Sequence, residues 1–271
     1  MTATAPPPAP DGTVAPAPVT DDAFLGDRLR ILQPAAGYRA GIDAVLLAAS
    51  VPAAPGQPLE ILDCGAGVGT VGLCVAARCA DARVTLIERE PALLDLANQN
   101  ISRNALDGRV CAVPGNLTAP AMSPAAPRLT PESFDHILAN PPFHDDAGGT
   151  HARDPLKQVS HAMPLGALDT WARFAARMAK PGGRVTMIHK SGALPSLLAA
   201  LQDRFGALTI TPIHPYIDKA AIRVLVSGVK SSRAPVTLLP PIVLHELHGA
   251  FTPYVGRILR DGAPLTPQLK E

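Results

Sequence analysis

Several patterns that define whole classes of protein are missing from this sequence. It has four cysteines and no C-x-x-C pair among them. Apolar residues surround all four, which favours free buried thiols in a reducing compartment over a zinc site or disulfides. No apolar run approaches the roughly 18 residues that a membrane span needs. The N-terminus shows no basic segment followed by an apolar run, so we expect no secretion, no metal site and a cytoplasmic protein.

Charge is also scarce. Charged residues make up 17% of the chain, and the formal net charge is only +1. Its distribution is uneven, because residues 173–271 hold 13 Lys or Arg against 5 Asp or Glu, a balance of +8. Such a basic C-terminal third is compatible with a polyanion lying across it. A solvated surface of mixed charge explains the same count equally well.

What the chain does contain is apolar sequence. At 271 residues with 47% hydrophobic content, it can bury a sizeable core and is predicted to be globular. Residues 1–23 are rich in Ala, Pro and Thr without periodicity, which predicts a disordered tail. Residues 24–271 are predicted to form a single domain.

A glycine-rich turn follows the strand predicted at residues 59–63. Gly65, Gly67 and Gly69 alternate there, which lets the backbone turn tightly and approach a ligand closely. The helix predicted at residues 70–79 adds a partial positive charge at its N-terminus. Glu88 ends the next predicted strand, 19 residues past Gly69, where its carboxylate can accept hydrogen bonds from two ribose hydroxyls.

Three interpretations of this turn are open. Residues 67–72 match G-x-G-x-x-G, the pattern of dinucleotide enzymes, although alone it is a weak signal. Asp63 at the strand end disfavours a pyrophosphate and favours a sulfonium donor that carries an ammonium group. We therefore favour methyl transfer over hydride transfer. A purely structural turn is the third interpretation, and Glu88 in register weighs against it.

A second strand, predicted at residues 134–139, ends in Asn140-Pro141-Pro142-Phe143. Proline cannot donate to a sheet, so the strand stops there and the Pro141 carbonyl stays outside the ladder. The Asn140 oxygen and the Pro141 carbonyl can each accept one hydrogen of an exocyclic NH2 group. Phe143 offers a face on which a base can stack. The alternative is a proline-terminated strand with an ordinary Asn turn.

The order of predicted elements indicates the fold class. Repeated strand–helix units are followed by two successive strands, at residues 208–213 and 222–229, without a helix between them. This predicts an α/β fold, a doubly wound, seven-stranded, mostly parallel sheet that ends in an antiparallel hairpin.

Residues 63–69 together with Asn140-Pro141-Pro142-Phe143 resemble one group of class I S-adenosylmethionine-dependent methyltransferases, the enzymes that modify exocyclic or amide nitrogens. These enzymes have a Rossmann-like fold. Residues 38–47 are similar to the N-terminal segment of the bacterial tRNA(Val) adenine-N6 methyltransferase family. The resemblance implies that the three glycines approach the amino-acid part of the donor. It also implies that Asp63 neighbours that part and that Glu88 binds the ribose. The further donor contacts that we predict are Tyr38, Gly41, Asp43, Asn116 and Asn140.

Position 116 departs from the family pattern. Many relatives carry Asp there, whereas this chain has Asn116. An amide can still hydrogen-bond an adenine edge, but it lacks the negative charge.

The resemblance implies methyl transfer from S-adenosylmethionine to the N6 amine of adenine, with tRNA as the expected RNA. Asn140, Pro141, Pro142 and Phe143 are the predicted acceptor residues. Cations of the C-terminal third would bind the RNA backbone, namely Lys190, Lys219, Arg223, Lys230 and Arg233. Three alternatives use the same features: guanine-N2 methylation of ribosomal RNA, glutamine-N5 methylation of a protein, and a non-catalytic RNA-binding factor on the same scaffold.

Overall fold

Strands and helices alternate along most of the chain. The structure is a computed structural model, and it describes residues 18–37, 39–52, 56–117, 129–142 and 166–266. The strands are β1 (Val19–Phe24), β2 (Leu29–Pro34), β3 (Leu59–Cys64), β4 (Ala82–Glu88), β5 (Val110–Pro114), β6 (Phe134–Ala139), β7 (Ala179–Lys190), β8 (Phe205–His214), β9 (Arg223–Lys230), β10 (Thr237–Leu238) and β11 (Ile242–Val243). The helices are α1 (Ile42–Ala49), α2 (Thr70–Arg78), α3 (Pro91–Arg103), α4 (Ala167–Met178), α5 (Leu194–Leu201) and α6 (Pro253–Asp261).

The central sheet has the predicted topology. Seven strands lie in the order β8-β9-β7-β6-β3-β4-β5, and all are parallel except β9, which runs antiparallel to both β7 and β8. The predicted doubly wound sheet with a terminal antiparallel hairpin is therefore confirmed. Two strands of two residues each, β10 and β11, add to the outer side of β8 and bring the sheet to nine strands. A separate hairpin of β1 and β2 lies outside the sheet.

Both faces of the sheet are covered by helices. Alternate residues of β3 divide between the two cores, since Ile61 belongs to one hydrophobic cluster and Leu62 to the other. Helices α1, α2 and α3 pack on the first face, and α4 and α5 on the second. Strands buried on both faces read as continuous apolar runs, which is why β3 and β6 stand out in the sequence.

The chain order places a crevice at one edge of the sheet. From β3 the chain continues to β4 on one side, whereas β6 lies on the other side of β3. A reversal of strand order of this kind opens a crevice at the carboxyl ends of the strands. Cys64 pairs with Ile87 on one side and with Ala139 on the other, so the three strands end level.

The first described strand begins before the predicted domain boundary. The expected boundary at residue 23 falls inside β1, which pairs with β2 from Val19 to Phe24. Asp21 and Asp22 look like loop residues in the sequence, but they form ion pairs with Arg103 and Arg39 that hold the hairpin. Residues 1–17 lie outside the described residues.

Two further expectations concern cysteines and membranes. All four cysteines are free, and Cys64, Cys74 and Cys79 are buried, as predicted. Within the described ranges, none of the helices combines the length and the apolar character that a membrane crossing requires.

Candidate active site

The glycine turn connects β3 to α2 at the crevice. Gly65 and Gly67 have φ angles of +63° and +57°, a left-handed conformation that side chains disfavour. A Cβ atom at Gly65 would lie 2.5 Å from Cη2 of Trp171, whereas one at Gly67 would meet no atom of the described residues within 4 Å. Gly65 is thus required for packing, and Gly67 borders open space that a ligand can enter.

Glu88 is held beside this turn by backbone groups. Its side chain is 6% exposed. One carboxylate oxygen accepts a hydrogen bond from the Gly67 N–H at 2.8 Å, and the other accepts from the N–H groups of Arg89 and Glu90 at 2.8 and 2.9 Å. A carboxylate has about four acceptor positions, so capacity for a ribose hydroxyl remains. The predicted ribose-binding residue therefore lies at the turn in a fixed orientation.

Asp63 lies behind the turn rather than on its surface. It is 1% exposed, and its Oδ2 accepts a hydrogen bond from the Gly72 N–H at 3.0 Å. Burial raises the pKa of Asp63 to about 7; the Gly72 N–H opposes the rise and the Glu88 carboxylate adds to it. The structure thus shows Asp63 fastening the start of α2, while its expected proximity to the donor stays a prediction.

Asn140 follows β6 at the same edge. Ala139 pairs with Cys64, so Asn140 and Gly65 are the first residues after the paired ends of two neighbouring strands, which lie about 4.8 Å apart. Asn140 and Pro142 are half-buried, and Pro141 is buried. Phe143 lies outside the described residues. The structure therefore starts Asn140 and the glycine turn from the same edge of the sheet, while the role of Asn140 at the acceptor amine stays a prediction.

Trp171 packs against the second hydrophobic cluster and also forms part of the crevice. It lies on α4, half-buried, and the edge of its indole ring contacts Gly65. The sequence gives no signal for this contact, because residues 65 and 171 are brought together only by the packing of α4 on the sheet.

Asn100 is a positioning residue that the sequence analysis missed. It is fully buried on α3, and its side chain accepts a hydrogen bond from the Leu32 N–H at 2.7 Å. Its Nδ2 donates to the carbonyls of Leu32 and Val68, both at 3.0 Å. Val68 belongs to the glycine turn, so Asn100 joins the turn to the β1–β2 hairpin. An amide between Ala97 and Ile101 on the buried face of a helix was the available signal.

Of the other predicted donor contacts, one lies at the crevice and another is bound elsewhere. Asn116 is exposed and lies at the crevice, because the preceding Gly115 N–H donates to the Glu88 carbonyl at 2.9 Å. Asp43 instead forms an ion pair with Arg223 at 2.8 Å, which links α1 to β9. Gly41 precedes α1 and is exposed. Tyr38 lies outside the described residues.

The five predicted RNA-binding cations do not share one surface. Lys190 pairs with Arg223 in the sheet, and the loop containing Lys219 joins the same ends of β8 and β9, so these three lie at the crevice edge. Lys230 ends β9 at the opposite edge, and Arg233 follows it. Lys230 also binds Glu132 at 2.8 Å. Because β9 runs antiparallel to its neighbours, its two ends place Arg223 and Lys230 at opposite edges of the sheet. The short distance between these residues in the sequence does not show this separation.

The crevice suits a donor without phosphates. It combines open space over Gly67, a fixed carboxylate at Glu88 and an amide at Asn140, and a buried acid lies behind the turn. On this sheet, these features define the class I methyltransferases, whose methyl donor is S-adenosylmethionine. Glu88 would hold the ribose of the donor, and the backbone around Gly67 would lie against its amino-acid part.

Comparison with known proteins agrees with this class. The family described as the methyltransferase small domain matches residues 40–210, so the chain belongs to that family and is an S-adenosylmethionine-dependent methyltransferase. A solved structure described as a predicted O-methyltransferase from Agrobacterium tumefaciens is 31% identical, with a TM-score of 0.69; the match covers 84% of this chain and 100% of that one.

Two curated relatives differ in the share of their length that aligns with this chain. The tRNA1(Val) (adenine(37)-N6)-methyltransferase of Porphyromonas gingivalis is 26% identical over 244 residues, which cover 88% of this chain and 93% of the relative. The release factor glutamine methyltransferase of Gloeobacter violaceus is 28% identical over 161 residues, which cover 55% and 52%. The predicted class and the predicted resemblance to the adenine-N6 family are confirmed.

Proposed function

We propose that this protein transfers a methyl group from S-adenosylmethionine to the N6 amine of an adenine in tRNA. The observation that carries the proposal is the pairing of Ala139 with Cys64, which sets Asn140 beside the glycine turn. The match to an adenine-N6 enzyme over nearly its whole length supports the choice of substrate. A tRNA substrate would place the protein in the cytoplasm. We also propose that the chain from Val19 onward acts as one domain.

The acceptor residues suit an exocyclic amine. The N6 amine of adenine presents two hydrogens, and the Asn140 side-chain oxygen and the Pro141 carbonyl would each accept one. This arrangement directs the nitrogen lone pair out of conjugation with the ring. When bound, S-adenosylmethionine supplies an electrophilic methyl group on a sulfonium. The methylated nitrogen then loses its proton to water, so positioning and exclusion of water contribute most of the rate, and no strong base is needed.

The base must leave its stack to reach the crevice. Enzymes that act on a base edge take the nucleotide out of its helix, which costs a few kcal/mol when the base is stacked. A stacking partner next to Asn140 would offset part of this cost, and Phe143 is the predicted partner.

Glutamine-N5 methylation is the second candidate, because a side-chain amide presents the same NH2 group. The similarity to a release factor enzyme favours it, but that match covers about half of each chain. A hydroxyl acceptor presents a single hydrogen and has no use for two adjacent acceptors, so the Asn-Pro pair does not favour O-methylation. Guanine-N2 methylation would use the same two acceptors, Asn140 and Pro141. Analysis of the methylated nucleoside distinguishes it from adenine-N6 methylation.

The test is transfer of labelled methyl from S-adenosylmethionine to tRNA, ribosomal RNA and protein fractions. We expect label in tRNA, and digestion to nucleosides should yield N6-methyladenosine. Asn140→Ala should lower kcat by about 100-fold, because the amine is no longer oriented, while donor affinity changes little. The matched control is Asn98→Ala on the exposed face of α3. Label confined to protein or ribosomal RNA, or an Asn140→Ala enzyme of normal rate, would refute the proposal.

A further inference from the structure

A second feature lies at the same sheet edge as the acceptor site, beyond β7. Since β8 and β7 both run antiparallel to β9, the carboxyl ends of β8 and β7 lie at the edge where Asn140 follows β6. Two segments extend from that edge, residues 214–222 and 244–251. The N–H groups of Leu244 and His245 donate to the carbonyls of His214 and Pro215 at 2.8 and 3.0 Å, which holds the segments together.

Three rings contact one another in these segments, and we call them the aromatic platform: Tyr216, His245 and Phe251. Phe251 is stacked on His245 and is exposed, whereas Tyr216 is tilted against His245 by 35° and both of these rings are half-buried. The ring centroids of Tyr216 and His245 are 5.5 Å apart, and those of His245 and Phe251 are 4.8 Å apart with an angle of 22° between the rings. The segment 245–251 is closed by hydrogen bonds between Glu246 and Ala250 and between Gly249 and Glu246. The backbone that carries the aromatic platform is therefore held in place by hydrogen bonds.

Apolar exposure is concentrated around this platform. Seven large hydrophobic side chains are exposed among the described residues, and four of them lie in these two segments. They are Ile217 (66% exposed), Ile222 (43%), Leu247 (82%) and Phe251 (37%). Single exposed apolar residues are ordinary, but such a concentration marks an interaction surface.

We propose that the aromatic platform is a docking surface for unpaired bases of the RNA substrate, an inference that rests on the proposed function. Three strand spacings separate β8 from β6, so the platform lies on the order of 14 Å from the acceptor site along the same edge. Lys190 and Lys219 lie at that edge; Lys219 forms an ion pair with Asp218 at 3.2 Å, and within the described ranges no acidic side chain pairs with Lys190. Aromatic faces flanked by cations and continuous with the acceptor site fit single-stranded nucleic acid better than a protein partner.

Stacking rather than charge should carry most of the affinity at this surface. Among the described residues, few cations lie at the crevice edge; of these, Arg223 is paired with Asp43 and Lys219 with Asp218. A single strand that contacts one or two cations has a salt slope of roughly −1, since each contact contributes about −0.7. The affinity for RNA should therefore fall only weakly as salt rises.

The experiment uses the full chain and a mixture of tRNAs transcribed without modifications. Phe251→Ala and Tyr216→Ala should each weaken tRNA binding by about 10-fold, the effect of losing one stacked base, and should raise KM more than they lower kcat. Their salt slopes should match that of the wild type, whereas Lys190→Gln should make the slope shallower by about 0.7. Donor binding, followed by the fluorescence of Trp171 beside Gly65, should be unchanged in all of them.

Two matched variants separate stacking from apolar burial and from folding. Phe251→Tyr keeps the ring and should bind tRNA normally, whereas Phe251→Leu keeps apolar volume and should fail like Phe251→Ala. Val236→Ala removes an exposed side chain beside the start of β8, at the opposite edge, and should have no effect.

Affinity within twofold of wild type in both Phe251→Ala and Tyr216→Ala would overturn the inference and leave the surface to a protein partner. The proposed function fails in a different way, through a wild-type enzyme that binds donor but methylates no tRNA. Direct tRNA binding by the platform variants is measured without methyl transfer, so the two failures are distinguishable.

Discussion

The two ends of the crevice edge are built differently. At the β3–β4 end, Glu88, Asp63 and Asn100 are buried, and each is hydrogen-bonded to backbone groups of neighbouring elements. At the β6–β8 end, the edge carries a half-buried Asn140, the exposed ring of Phe251 and the exposed cations Lys190 and Lys219. One end is fixed in place by the fold, and the other is open.

This difference fits the two molecules that the proposed function assigns to the edge. A small donor is the same in every turnover, so its site gains from groups that are oriented before binding. A large RNA can reach only an open surface, which must expose the groups that contact it. Substitutions at the β3–β4 end should therefore disturb folding and donor binding together, whereas those at the β6–β8 end should affect RNA alone. Three predictions concern the groups at the β3–β4 end.

The largest effect is expected for Gly65→Ala. The new Cβ is disfavoured by the left-handed backbone at this position, and it overlaps the ring of Trp171. We therefore expect the free energy of unfolding to fall by about 3 kcal/mol. Gly67→Ala is the matched control, since its φ is nearly the same but its Cβ meets open space; it should cost about 1 kcal/mol and instead weaken donor binding. Urea unfolding and Trp171 fluorescence measure the two quantities. Equal losses of stability in the two variants would contradict the packing role of Gly65.

A smaller effect is expected for Asn100→Ala. The substitution leaves the Leu32 and Val68 backbone groups buried without their partner, which should lower stability by about 2 kcal/mol and loosen the glycine turn. Donor affinity should fall with it, because Val68 lies between Gly67 and Gly69. Asn98→Ala on the same helix, at an exposed position, should change neither quantity. Normal donor affinity in a destabilised Asn100→Ala protein would show that the amide supports the fold but not the site.

The smallest effect concerns pH, and it compares two buried groups, Asp63 on β3 and His136 on β6. The pKa of Asp63 is raised to about 7 from an ordinary 3.8, so the folded state keeps a proton that the unfolded state loses, and stability falls as pH rises between these values. His136 on β6 behaves oppositely: burial lowers its pKa to about 3 from 6.5, so stability falls as pH drops through that range. The two effects oppose each other in the wild type.

Asp63→Asn should remove only the first of these effects. Relative to the wild type, the variant should gain about 1 kcal/mol of stability between about pH 5 and about pH 6, because one proton per molecule corresponds to about 1.4 kcal/mol per pH unit. Unfolding by urea at a series of pH values measures this gain. Stability curves that run parallel in the two proteins would show that Asp63 is ionised in the folded state.

Local sequence carried much of the fold and of the site. The glycine turn, the strand ends at Glu88 and Asn140, and the terminal hairpin could all be predicted because each depends on a few adjacent residues. The start of β1 could not, because polar residues such as Asp21 hide a strand that is stabilised by distant arginines. Asn100 was missed for the same reason, since its partners lie 68 and 32 positions away in the chain.

The sequence by itself therefore determined the class of this protein, because the motifs that hold donor and acceptor are short and contiguous. Only the tertiary structure decided which predicted cations share an edge with the site, since the reversed direction of β9 sends Lys230 away from Lys190. It also decided that Tyr216, His245 and Phe251 form one surface, because their contact depends on two segments that meet where the sheet ends.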